Sequence, residues 1–490
     1  MVLAMSAAIY AQTPPVEPAK GTPAPAPAPS AGLVNDWLRG QSESLSVLDV
    51  GGQFRVRFED REHFAIPQFP APATPAPVDF QRGSRSNPLV LFREKLHLGY
   101  TPCAWFSAYV EGRDSFSVKD RRKPSPDTDH VDLHQAYVVY GNPEVFPISL
   151  KVGRQELIYG DERLIGAADW TNTGRVFDTV KVRFENSSLW VDGFVGRVVI
   201  PYDHHLNLPN DYDYFSGLYA STKALVPNQE TQLYFLARNT GLASPDVIAP
   251  SATLPPGLRG ATARDIYTAG LRIKSTPGAL KGWDYAAEVA GQFGRFKAPA
   301  GAPNAGTNLD HEALAVSAGL GYTFSNVYGK PRFGFEYNFA SGDHSAADNK
   351  HGTFENLFPT NHKFYGAMDF VSWQNLHNPH FSAALKPGAD LKISLDYNLF
   401  WLADTADAFY QVNGAPRAGG APGKGYGLNP AYDSFVGSEL DLVLSYSVHA
   451  NAAFQIGYGH FFVGSYVTSS LSSLGASDAD WVYAQMVIKF

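Results

Sequence analysis

From about residue 50 to the last residue, apolar and polar side chains alternate with a period of two. In QFRVRFE, Phe54, Val56 and Phe58 share one face, and Arg55, Arg57 and Glu59 share the other. In VLFREKLHLGY, Phe92, Leu96, Leu98 and Tyr100 oppose Arg93, Lys95 and His97. TVKVRFE (179–185) and DLKISLDYNLFW (390–401) repeat the pattern. Successive side chains of a β-strand point to opposite faces, so this is strand patterning, with no competing helical period.

Eighteen such segments are predicted, the first at 52–60 and the last at 480–490. Short links such as TPC (101–103), SNVYGK and KPGAD alternate with long ones such as 61–89, 155–176, 340–379 and 402–434. A soluble sandwich or propeller has no reason to alternate its links this way, and no motif recurs at a fixed period. An even strand number with tight turns at one end and long loops at the other describes a transmembrane antiparallel β-barrel. An apolar face turned to lipid requires every backbone N–H and C=O to be paired, and only a closed barrel has no edge. Composition agrees: charged residues are 18%, aromatics 13% and glycines 45 in number. No run of about 18 apolar residues offers a membrane helix. The expected fold is therefore an all-β outer-membrane barrel of about eighteen strands over 50–490, with long extracellular loops and short periplasmic turns.

The ends fit an exported protein. Residues 2–11 (VLAMSAAIYA) resemble the end of a secretory signal cleaved after Ala11, with the usual basic start missing, as in a truncated leader. Residues 12–49 read as an Ala/Pro-rich periplasmic linker with a short helix within 33–48; seven prolines fall in 12–31. In VYAQMVIKF, alternating apolar residues end on Phe490, resembling the signal by which the bacterial outer-membrane assembly machinery recognises its clients.

A barrel of this size encloses an aqueous lumen, so its chemistry lies on the polar faces. The clear alternations place Arg55, Arg57, Arg93, Lys95, Arg113, Lys181, Arg183, Arg272, Lys274, Arg332 and Lys392 inward. They also place Glu59, Glu111, Glu185, Asp284, Glu288, Glu336, Asp396 and Asp441 inward. Eleven basic against eight acidic residues make a lumen more basic than the whole chain, whose net charge is −8. Arg and Lys lining a pore favour anions, and Arg grips carboxylates with a two-pronged fork. The loop at 155–176 combines paired charges with large apolar residues, which predicts that it folds into the pore and narrows it.

Other classes find less support. Mild acidity argues against a nucleic-acid partner. A single cysteine, Cys103, excludes a thiolate cluster. Asp203–His204–His205 and Asp343, His344, Asp348 and His351 have no metal-site spacing, and neither a metal nor another cofactor is expected. No nucleophile elbow or other catalytic signature marks an enzyme.

Several long motifs resemble the alginate-export family of outer-membrane barrels: GRQELIYGDERLIGAADWTNTGRVFD (153–178), FEYNFASGD (335–343) with TFENLFPTNHKFYGAMDFVSWQNL (353–376), and GSELDLVLSYSVHANAAFQIGYGHFFVGSY (437–466). The resemblance implies an eighteen-stranded barrel with a basic, selective pore. Carried over by motif, Arg154, Asp161, Arg163, Trp170 and Arg175 are expected pore-loop residues, and Asn361, His362 and Lys363 belong to a second loop motif. The expected function is passive, selective passage of an anionic saccharide or polysaccharide through a monomer, driven by a gradient or a periplasmic export partner. A general diffusion porin is the alternative, and an outer-membrane enzyme is the third.

Overall fold

The computed structural model describes residues 32–66, 78–84, 86–241, 263–298, 303–417 and 419–490. The expected signal segment and the proline-rich stretch up to residue 31 lie outside them.

Among the described residues nineteen strands occur in chain order: β1 Leu48–Glu62, β2 Leu89–Cys103, β3 Phe106–Val118, β4 Asp129–Tyr140, β5 Ile148–Gln155, β6 Phe177–Glu185, β7 Leu189–Ile200, β8 Leu208–Thr222, β9 Gln229–Thr240, β10 Arg264–Ser275, β11 Trp283–Lys297, β12 Asn308–Thr323, β13 Arg332–Ala340, β14 Lys350–His351, β15 Leu376–Leu385, β16 Leu391–Trp401, β17 Phe435–His449, β18 Ala452–Val463 and β19 Ala479–Lys489. β14 is a two-residue strand lying parallel to β12 at the loop rim, and β13 pairs directly with β15. The other eighteen strands form one antiparallel sheet in sequence order. It closes where β1 pairs with both β2 and β19. Beyond β19, Phe490 N donates to Gly52 O at 3.1 Å and Gly52 N donates to Phe490 O at 2.9 Å. A side chain at Gly52 would run into the Phe490 ring, which lies 2.6 Å from where its Cβ would sit.

All eighteen predicted strands correspond to barrel strands. The largest difference is β8: the alternation predicts a strand over 214–222, and the observed one begins at Leu208. Beyond a register shift after Arg197, Val199 and Ile200 pair with Pro209 and Leu208. The connection 201–207 is consequently no longer than the longest turns at the opposite rim.

Exposure is inverted relative to a soluble fold. Leu96, Leu98, Val110, Val180, Leu233, Phe333 and Tyr458 are exposed on the outer face, whereas Arg55, Arg57 and Arg93 are almost fully buried on the inner one. That is the arrangement lipid demands. Among the described residues no helix is long and apolar enough to cross a membrane. Helix α1, Leu33–Gln41, lies at the turn end, where Asn35 bridges Asp49 (2.7 Å) and the Val50 amide (2.7 Å). Helix α2, Ser465–Ser470, lies in the last long loop.

Candidate functional site: a loop-filled lumen with one open wall

The loop 156–176 crosses the lumen. Positive φ at Gly160 (59°) turns the chain away from the wall, and Asp161 reaches Arg272 Nη2 (2.5 Å) and Lys274 Nζ (2.6 Å) on β10. Burial alone would raise the Asp161 pKa, but the two cations outweigh it and hold it below the carboxylate range. Arg163 meets Glu336 (2.5 Å) and Asn338 (3.1 Å) on β13, and Tyr365 Oη (3.2 Å).

A second loop, 341–375, packs against the first. Ile165 bridges Phe358 in parallel, the Gly166 amide donates to Phe358 O (2.8 Å), and the Phe358 amide donates to Leu164 O (2.9 Å). Arg175 Nη1 stitches the two loops through Gly166 O (3.1 Å) and Pro359 O (2.8 Å). Lys363 of the second family motif pairs with Glu162, Asn361 donates to Val412 O (2.7 Å), and His362 stacks on Trp170 at 3.9 Å.

The crossing loop returns to β1–β3. Arg55 donates to Asp169 O (2.8 Å) and Thr171 O (2.9 Å), Arg57 to Trp170 O (2.9 Å) and Arg93 to Asp169 O (2.9 Å). Arg113 bonds Thr173 O and pairs with Asp129. Buried guanidinium groups need acceptors for their donors, and these backbone carbonyls answer the terminal Nη groups.

Two expectations are thereby corrected. The inward arginines of β1–β3 do not line an open basic pore; their charge is spent holding the loop. Arg332 likewise pairs with Asp284 (2.6 Å). Arg154 is not a pore-loop residue. It belongs to β5, in register with Asp178, and faces outward with Val180 and Val182. It pairs with Asp178 at 2.8 Å and donates to Asn207 O at 2.9 Å. Counting by twos from the inward Lys151 places Arg154 outward; reading it as loop concealed this.

On the turn side of the loops, one inner wall carries half-buried side chains over six neighbouring strands. His97 stacks on Tyr109 (5.4 Å between ring centroids), and Tyr109 stacks on Tyr137 (5.2 Å). Lys151 Nζ lies 3.5 Å over the Tyr137 ring and in register with Lys181. Lys181 and Arg183 reach Asp192 at 3.5 and 2.6 Å, and Arg183 lies 4.6 Å over Trp190. Lys392 is half-buried on the turn-side half of β16. Lys181, Arg183 and Lys392 were predicted inward. Tyr109, Tyr137, Lys151 and Trp190 were missed; Tyr109 shares the parity of the inward Glu111 and Arg113, whereas a register shift between β3 and β4 brings Tyr137 inward.

A closed eighteen-strand barrel, apolar outside and polar inside with loops folded into its lumen, is a bacterial outer-membrane protein of the porin and channel class. The alginate export family matches residues 47–475, most of the chain, and the protein belongs to that family. Solved structures share the fold at low identity. Acinetobacter baumannii OccAB1 superposes with a TM-score of 0.54 at 10% identity, covering 90% of this chain and 97% of that one. Pseudomonas aeruginosa OccK1 (OpdK) gives 0.53 at 12% identity, covering 90% and 98%. P. aeruginosa OpdK with vanillate gives 0.52 at 12%, covering 90% and 98%. No curated protein matches the chain.

Proposed function

We propose that this channel passes anionic saccharides, of the uronic-acid type found in alginate, passively and selectively across the outer membrane. The observation that carries the reading is the wall on which the rings of His97, Tyr109 and Tyr137 lead into the cations Lys151, Lys181 and Arg183 and end at the Trp190 ring. A pyranose ring presents apolar C–H faces that suit Tyr and Trp, and its carboxylate suits Lys and Arg. Lys151 over Tyr137 and Arg183 over Trp190 each set a cation beside a flat ring, which matches a chain whose every unit carries a carboxylate and an apolar face. Asp192 and Glu111 keep the wall from holding a polyanion too tightly, which conduction requires.

Single-channel recording of the refolded barrel tests this. K151E and R183E are expected to shift the reversal potential toward cation preference and to weaken block by hexuronate oligomers at least tenfold. R154Q, on the outer face, should leave both unchanged. If K151E and R183E change neither selectivity nor block, the barrel is a general diffusion porin.

A further inference from the structure

Where the crossing loop meets β1 and β2, one dipeptide has the two chemical features of a uronic-acid unit. The Asp169 carboxylate accepts from Arg93 at Oδ2 (3.2 Å), has Oδ1 2.9 Å from the same guanidinium and lies 3.6 Å from Lys95 Nζ. The Trp170 ring lies under the Arg57 guanidinium at 3.9 Å and stacks on His362 at 3.9 Å. Its edges meet Trp481 at 5.9 Å and Tyr483 at 5.2 Å. A carboxylate on a cation pair beside a flat apolar ring in an aromatic cage is what an acidic sugar would present to the same residues.

The position is also open to the lumen. The Asp169 side chain keeps 27% of its surface exposed, although Arg93 beneath it is fully buried. Lys95 lies two residues from His97, where the ring-and-cation wall begins. A polymer following that wall arrives at Asp169.

We infer that Asp169–Trp170 is a built-in mimic of the acidic saccharide, seated in a sugar subsite made by Arg57, Arg93, Lys95, His362, Trp481 and Tyr483, and that substrate opens the channel by displacing it. The inference rests on the preceding reading of the channel as a conduit for acidic saccharides. The exchange is favourable because most bonds from Arg55, Arg57 and Arg93 to the loop end on neutral backbone carbonyls. Carboxylates arriving on a polymer make charge-assisted, two-pronged bonds of roughly twice that strength. A ligand that binds only the state with the loop displaced shifts the population toward it. Its apparent affinity is reduced by the fraction of molecules in that state.

The test uses the full-length protein in planar bilayers, with D169N and W170A as separate variants. Correct folding is checked by heat-dependent gel mobility, and D169N, nearly isosteric, guards against loss of fold in W170A. Sugar-free conductance is recorded first, then block by a mannuronate hexamer and by neutral maltohexaose. Both variants are expected to conduct more without sugar and to be blocked by the acidic hexamer at a concentration at least tenfold lower than wild type. Unchanged conductance and unchanged block in both variants would overturn the mimic while leaving the substrate reading intact. Higher conductance with equal block by acidic and neutral hexamers would overturn the substrate reading, and the mimic with it.

Discussion

Arg163 is 5% exposed in the middle of the barrel, where a guanidinium can persist only if its charge and its donors are answered. Glu336, Asn338 and the Tyr365 hydroxyl do so, and the Phe364 ring lies 4.0 Å from its charge centre. R163A would leave Glu336 buried without that partner, a loss of about 3–5 kcal/mol. A folded barrel whose free energy of unfolding in urea falls by that amount would bear this out; an unchanged value would mean that the pin is dispensable. Asp161, Arg163, Trp170 and Arg175 were all legible as loop residues with a task. What each one touches was not, because their partners stand roughly 100 to 200 positions away in the chain.

At the scale of elements, the lumen is filled by long loops that brace one another. Loop 402–434 is tied to loop 341–375 through Asp407. Its carboxylate accepts from the Thr353 hydroxyl (2.6 Å), the Asp343 amide (3.0 Å) and the Tyr410 hydroxyl (2.8 Å). Burial outweighs these hydrogen bonds and raises the Asp407 pKa to about 6. A carboxyl whose pKa is higher in the docked than in the free loop binds its proton more tightly when docked. Its contribution to docking is therefore complete below about pH 4 and is lost as pH rises through about 6. A shift of ~2 units corresponds to ~3 kcal/mol. Amide exchange of residues 343–353, corrected for intrinsic rates, should be slower at pH 5 than at pH 7, and D407N should abolish the difference. Equal corrected rates in the wild type at the two pH values would refute the coupling.

For the whole molecule, the decisive event is closure. β1 and β19 stand at opposite ends of the barrel sequence, and closure brings Gly52 against the terminal Phe490. A valine at Gly52 would collide with the Phe490 ring and with Lys95 O, the latter 2.5 Å from where its Cβ would sit. G52V should lower the yield of heat-modifiable, folded barrel several-fold, as should deletion of Phe490. Wild-type yields from both variants would show that the seam tolerates its own disruption.

Alternation at period two sufficed to identify the strands, their number and which side chains face lipid, because strand geometry is local and the membrane admits no unpaired edge. The motifs along the chain were enough to indicate the family. Tertiary structure alone decided the character of the lumen. Inward arginines on β1–β3 could have lined an open basic channel or gripped a loop, and parity describes both states equally. The choice fell to backbone carbonyls of residues 169–173, more than seventy positions from Arg93 and farther from Arg55. Such acceptors carry no side-chain signature, because every residue has a carbonyl. Only the path of the folded loop shows which of them meet a buried charge.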